Sequence, residues 1–421
     1  MKRTTTGTPA AATQAPAPRP PAEHLRNPVL ARALLAVWSG DPALVIDSPP
    51  GAGKTHLNTH LAHQLRTRAG MTVAIAAQTR AQAADVAHRT AATGADTALL
   101  IGANNDRPAD TDPAIRTMTP RAIDPGAGIV VATTARWTWL PHNRPVRFDV
   151  LLIDEAYQLT FADLGTLGAI ADQFVLVGDP GQIDPVITGT TRRWDTWASG
   201  PHVPAPTALA AAHHDDVTTL RLPQTWRLGP ATTALLAPLY PSLPFTSARP
   251  PSHLSDHRDQ PLPEYHARPI TITGGTPDPV IAVTAADTAR DLLTRTLHTT
   301  AGTRPLAPED VAVIAPHVEQ AALIAAALAD LPGIFVGTIN QAQGLERHAV
   351  VAVHPLAGHA DALGVAADLG RLCVALSRHR SHLTVITDKH TPAVLDRAHR
   401  DQPGTQAVVV HQRILDSLLA A

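Results

Sequence analysis

Ser48-Pro49-Pro50-Gly51-Ala52-Gly53-Lys54-Thr55 follows the apolar run Ala43-Leu44-Val45-Ile46 and opens a helical stretch over 54–69. A strand, a glycine-rich turn and a helix in that order make a cradle for phosphate. Gly51 and Gly53 let the backbone curl so that its N–H groups face inward, and the helix N-terminus adds partial positive charge. The loop Pro50, Gly51, Ala52, Gly53, Lys54, Thr55 and His56 is therefore the expected nucleotide cradle. Lys54 would reach the β- and γ-phosphates, and the Thr55 hydroxyl would ligate Mg²⁺. Further along, Val150-Leu151-Leu152-Ile153 ends in Asp154-Glu155. A buried parallel strand delivers side chains at its carboxyl end. Asp154 would join the Mg²⁺ shell, and Glu155 would orient or deprotonate an attacking water. Alone, the first segment is a glycine-rich turn and the second a solvated acidic turn. Together, in this order, they make a site.

Short apolar runs must position these residues. Val73-Ala74-Ile75-Ala76, Ile129-Val130-Val131-Ala132 and Phe174-Val175-Leu176-Val177 read as further strands, with a helix near 81–91 between the first two. Continuous apolar strands separated by helices imply an α/β fold with a parallel sheet covered on both faces. Residues 198–266 are proline-rich and break the pattern. It resumes with Ile270-Thr271-Ile272, a helix near 285–298, and Val311-Ala312-Val313-Ile314. Ile334-Phe335-Val336, Val350-Val351-Ala352-Val353, Leu383-Thr384-Val385-Ile386 and Val408-Val409-Val410 are read as later strands. The expected division is a disordered tail over 1–22, one α/β domain over 23–218 and a second over 219–421.

The chain has 421 residues, which suits two or three domains. With 44% hydrophobic and 17% charged residues the composition is globular. No apolar run is long enough to span a membrane, and Met1-Lys2-Arg3 leads into no apolar stretch, so a cytoplasmic protein is expected. Cys373 is the sole cysteine, which excludes an internal disulfide framework and a cysteine zinc site. The net charge is −2, so any basic groove for a polyanion must be local. Only Lys2, Lys54 and Lys389 among the 34 basic residues are lysines. The arginine-, alanine- and proline-rich usage suggests a GC-rich bacterial genome, and a lysine at 54 in such a chain needs a reason.

Val177-Gly178-Asp179-Pro180-Gly181-Gln182 adds a turn after the next strand. In series with the two segments above it resembles motif III of superfamily 1 helicases, in the branch of RecD-like and nonsense-decay helicases. Ala77-Gln78-Thr79 resembles motif Ia, and Ala132-Thr133-Thr134 with Arg136 and Trp137 the next DNA-facing loop. Leu222-Pro223-Gln224-Thr225-Trp226-Arg227 resembles motif IV. Val336-Gly337-Thr338 through Gln343-Gly344-Leu345-Glu346 resembles motif V, and Leu372-Cys373-Val374-Ala375-Leu376-Ser377-Arg378 motif VI. The resemblance spans about residues 43–387.

The resemblance implies two tandem RecA-like domains with ATP and Mg²⁺ in the cleft between them. It implies single-stranded nucleic acid, DNA before RNA, across the top of both. Gln182 would sense the γ-phosphate, and Arg227 and Arg378 would be arginine fingers. Gly344 and Glu346 would touch phosphate and ribose. Thr79, Thr133, Thr134 and Thr338 would donate to backbone phosphates, and Trp137 or Trp139 would stack on a base. Arg192-Arg193-Trp194 either adds to that groove or faces solvent, and His213-His214-Asp215-Asp216 reads as a polar loop.

There are departures. Ser48 stands where the phosphate loop usually starts with glycine, Cys373 where asparagine is common and Ser377 where threonine is common. No glutamine lies between Glu23 and Gly51 to read adenine. The candidate insertions, about 96–127 and 229–268, are short. The expected activity is nucleic-acid-stimulated NTP hydrolysis with 5′→3′ movement. The alternatives are an ATP-driven switch without unwinding and a small-molecule kinase.

Overall fold

The computed structural model describes residues 27–102, 111–113, 115–143, 145–362 and 364–420, with no side-chain description for 141–143. The expected tail over 1–22 lies outside them. Eight of the described strands form the first sheet: β1 (Ala43–Asp47), β2 (Val73–Ala77), β3 (Thr97–Leu100), β4 (Arg116–Met118), β5 (Ile129–Thr133), β6 (Phe148–Asp154), β7 (Ala171–Gly178) and β8 (Val217–Arg221). Their order is β4-β3-β5-β2-β6-β7-β1-β8, and every pairing is parallel. One face is packed by helices Pro28–Trp38, Lys54–Arg68 and Arg80–Ala92, the other by helices Thr134–Asn143, Phe161–Leu167 and Ala205–Ala212. The central strands are apolar throughout because both faces are covered.

The second body starts with the short parallel pair β9 (Gln224–Thr225) and β10 (Thr246–Ser247). A three-stranded antiparallel sheet joins β11 (Ser252–Ser255), β13 (Thr296–Thr299) and β14 (Gly302–Pro305). The main sheet is parallel and joins β12 (Tyr265–Ile270), β15 (Val311–Ala315), β16 (Phe335–Thr338), β17 (Arg347–Val353) and β18 (His379–Asp388) in the order β12-β18-β17-β15-β16. Helices Pro279–Leu292 and Val318–Ala327 cover one face, and helices Pro230–Leu236, Leu369–Leu376 and Gln406–Leu419 the other. The fold is α/β, with two tandem bodies whose main parallel sheets are covered by helices on both faces. No described helix is long and apolar enough to cross a membrane.

Three sequence expectations are corrected. The boundary at 218/219 falls inside β8, which pairs with β1 from Ala43↔Val217 to Asp47↔Arg221. The Leu222 N–H still bonds to the Asp47 carbonyl, so the first body runs at least to Leu222. Val408-Val409-Val410 is helical, within Gln406–Leu419, because Val410, His411, Ile414, Leu415 and Leu418 recur at helical spacing and are buried together. β-propensity yields to that periodicity. The strand read at 270–272 is β12, which ends at Ile270. Its mixed composition hid it, and Pro269 is tolerated because β12 is an edge strand.

The short candidate insertions are largely absorbed. β3 and the edge strand β4 extend the first sheet on one side, and 229–268 build part of the second body.

Candidate nucleotide site between the two sheets

The carboxyl ends of β1, β2, β5, β6 and β7 all carry motif residues, as parallel alignment demands. After β1 the chain turns through Gly51 (φ +71°) and Gly53 (φ +86°) into helix Lys54–Arg68. Both values lie in the left-handed region where glycine carries no Cβ penalty. Ser48 is fully buried, and its N–H (2.9 Å) and hydroxyl (2.9 Å) both donate to the Gly178 carbonyl. The serine that replaces the usual glycine therefore ties the loop to β7. Thr225 Oγ1 donates to the Pro50 carbonyl (2.6 Å), and the Trp226 N–H donates to the Gly51 carbonyl (2.9 Å). A Cβ on Gly51 would lie 2.3 Å from the Arg227 Cβ, so the loop and the segment 225–227 are in van der Waals contact.

At the end of β6, Asp154 accepts from Thr55 Oγ1 (3.1 Å), and the Glu155 carboxylate lies 3.5 Å from Lys54 Nζ. Glu155 has φ +52°, unusual for a side chain of this size and a form of strain that collects at functional sites. Burial raises the Asp154 pKa and the Glu155 charge adds to it, against Lys54 and the Thr55 hydrogen bond. Thr55 and Asp154 offer the hard oxygen donors Mg²⁺ requires, and a divalent cation would relieve the two crowded carboxylates. The residues fit that ion.

Gln182 is buried, its Nε2 donating to Asp179 Oδ2 (2.7 Å). From the second body, Arg227 Nε lies 3.2 Å from Glu346 Oε1, and its Nη1 donates to the Ser377 carbonyl (3.2 Å). Arg380 Nε donates to Glu346 Oε1 (2.7 Å). Burial alone would raise the Glu346 pKa, but Arg227 and Arg380 hold it down to about 2. Glu346 was expected to meet phosphate and ribose. It lines the same cleft and pairs there with Arg227 and Arg380. Arg378 is 1% exposed and bonds Val374 O (3.3 Å) and Ser377 Oγ (2.9 Å). Burial and the neighbouring Arg227 charge lower its pKa to about 10, which leaves it charged at neutral pH.

These groups share one cleft of about 350 Å³, lined by residues 51–56, Asp154, Glu155, Gln182, Arg227, Gly344, Glu346 and Arg378. Pro50 sits behind the loop, accepting the Thr225 bond. Trp226 also lines the cleft and is 60% exposed. Sequence reasoning gave it no role. Its place beside Arg227, in the segment that follows Pro223, is the signal that could have pointed to it.

The expected nucleic-acid contacts divide. Trp137 is fully buried, packs edge-on against Phe148 and donates its indole N–H to the Ile75 carbonyl (2.9 Å). It is core and cannot stack on a base. Thr134 is buried and donates to the Ala77 carbonyl. Its helical periodicity with Trp137 and Leu140 puts this face inward. Trp139, the other tryptophan considered, is 46% exposed with the Arg136 guanidinium 5.7 Å from its ring. Thr79 is exposed, though its side chain caps helix Arg80–Ala92 in a reciprocal pair with Gln82. Thr133 lines a shallow depression with Arg80, Gly102 and Arg136. Thr338 is half-buried and bonded to Gln341. Arg192 and Arg193 are exposed, as are His213-His214-Asp215-Asp216.

Two family models, each described as an AAA domain, match residues 30–205 and 281–390. No curated protein matches the chain. Among solved structures it is similar to the PRRSV helicase (17% identity, TM-score 0.45, covering 85% of this chain and 55% of that one). It is also similar to Arterivirus nonstructural protein 10, a helicase, in a complex with DNA (16%, TM-score 0.45, 90% and 65%). A third is the Escherichia coli DEAH/RHA helicase HrpB (13%, TM-score 0.45, 89% and 43%). The chain thus spans less than two thirds of the length of these helicases.

Proposed function

We propose that this chain, whose residues 30–205 and 281–390 match AAA-domain models, is an ATPase of the superfamily 1 helicase type that hydrolyses ATP in the cleft and moves along single-stranded nucleic acid. The observation that carries this reading is the convergence of Lys54, Glu155, Gln182, Arg227 and Arg378 on one cleft behind a glycine-rich loop. Lys54 now pairs with Glu155. Incoming phosphates would draw Lys54 away and free the Glu155 carboxylate to take a proton from the attacking water. Thr55 and Asp154 would hold Mg²⁺, which neutralises charge on the phosphates when bound. Arg227 and Arg378 would meet the charge that develops on the transferred phosphoryl group, with fixed forks of donors that need little reorganisation. Trp226 would stack on the base, and stacking alone does not select adenine. At the carboxyl ends of the two main sheets, Thr79, Thr133, Arg136, Trp139 and Thr338 would follow the strand, with DNA favoured and 5′→3′ polarity.

A second reading keeps the ATPase and drops strand separation. It is favoured by the candidate insertions, whose described residues join existing sheets: β3 and β4 extend the first, and β11 and β12 pair into sheets of the second body. Steady-state hydrolysis with Mg²⁺, with and without single-stranded DNA or RNA, beside Glu155→Gln, tests the first. Stimulation by a polymer, with kcat falling about 10²–10⁴-fold in the variant, is expected. Hydrolysis indifferent to both polymers would sink the motor. Forked duplexes with either overhang then separate movement with unwinding from movement alone and read the polarity.

A further inference from the structure

A buried carboxylate needs a reason, and Asp179 is 1% exposed with no arginine or lysine among its bonding partners. Three donors hold it instead. Gly181 N–H (3.0 Å) and Gln182 Nε2 (2.7 Å) come from its own turn. The third is Tyr240 Oη (2.8 Å), which belongs to the other body. Tyr240 packs in the second hydrophobic core with Leu236, Leu372 and Cys373, and its ring meets Phe245 edge-on at 5.2 Å. The phenol gives its single proton to the carboxylate, so its oxygen accepts from the Cys373 thiol at 3.0 Å. Cys373 lies in helix Leu369–Leu376, which leads directly into Ser377 and Arg378. The same helix presses on the sensor turn at its start. A Cβ on Gly370 would come within 2.5 Å of the Gln182 carbonyl oxygen. Tyr240 likewise lies against Gly181, where a Cβ would sit 2.5 Å from Cζ.

We infer that Tyr240 is a positioning residue, a latch that fixes Asp179 and through it Gln182 to the helix of the second body that leads into Arg378. This rests on the ATPase reading above and adds to it how the two bodies exchange information about the γ-phosphate. Burial and the neighbouring Asp179 carboxylate raise the phenol pKa well above its ordinary value, so the latch keeps its proton at neutral pH. Opening the cleft pulls Tyr240 off Asp179. Gln182 is then held by one body alone.

The test is the preference for ATPγS over ADP, measured by direct binding without any polymer, in the full chain and in Tyr240→Phe. The phenylalanine keeps the ring packing and removes only the hydroxyl. The latch predicts that the preference narrows about tenfold while ADP affinity stays within about twofold of the parent. A merely structural role lowers the thermal midpoint and moves both nucleotides alike, and that result overturns the latch. Gly181→Ala drives a methyl into the Tyr240 ring and is expected to give the same narrowing, with the double variant no worse than either. Additive losses would also overturn it. Hydrolysis of the parent that no polymer stimulates would remove the motor and leave the nucleotide preference to decide the latch. A parent that binds neither nucleotide removes both.

Discussion

The two walls of the cleft follow opposite electrostatic plans. On the first body one lysine, Lys54, faces the carboxylates Asp154 and Glu155. On the second, Arg227 and Arg380 share one acid, Glu346, with Arg378 buried behind them. The acidic wall is assembled from strand ends and one loop of a single parallel sheet, so strand order delivers it although Thr55 and Asp154 lie 99 positions apart. The basic wall draws on segments from Arg227 to Arg380 and exists only after the second body has folded. Arg227 sits at the seam. Its backbone rests on the phosphate loop at Gly51 while its guanidinium pairs with Glu346.

That difference can be broken from its basic side first. Arg227→Lys or Arg378→Lys, each keeping a charge but losing the fork, should lower kcat about 10³-fold with little change in ADP affinity. Equal loss of ADP binding would mean the arginines hold the ground state. Glu346 supplies the next largest effect. Its folded pKa of about 2 lies below the ordinary 4.5, so its ion pairs stabilise the protein above pH 4.5 and lose that contribution as pH falls towards 2. The contribution is on the order of 3 kcal/mol. Urea midpoints of the parent and Glu346→Gln should therefore converge below pH 4.5, and parallel curves would contradict the pairing. Trp226→Ala should weaken ATP and GTP alike by about tenfold, because a ring face reads no base edge. A loss confined to ATP would give it an adenine-selective role. The smallest contrast separates two tryptophans two residues apart. Trp139→Ala should reduce single-strand affinity by about tenfold, whereas Trp137→Phe should cost about 1 kcal/mol of stability and leave affinity alone. The reverse result would return Trp137 to the nucleic-acid face.

The five central strands of the first sheet, β1, β2, β5, β6 and β7, were legible because each is an apolar run buried on both faces, whereas β3, β4 and β8 at its margins were not. Gly51, Gly53 and Lys54 announced their loop because only a few backbones suit that order of residues. The edge strand β12 and the helix over Val408–Val410 were not legible. An edge strand needs no apolar pattern, and a helix outweighs β-branched preference only when its other face has a core to enter. Trp137 and Trp139 show the limit most clearly. Both are tryptophans on one short helix, and the sequence left open which faced the core.

By itself, then, the order of residues determined that a parallel α/β body ends in a phosphate loop, with an acid pair delivered beside it. Those features depend on backbone sterics and on contacts that strand order enforces. The tertiary structure alone decided that Glu346 serves two arginines, that Tyr240 reaches across to Asp179, and that Ser48 binds Gly178. Each of these joins residues far apart in the chain, and a hydrogen bond or ion pair is a statement about distance and direction, which composition and spacing do not contain.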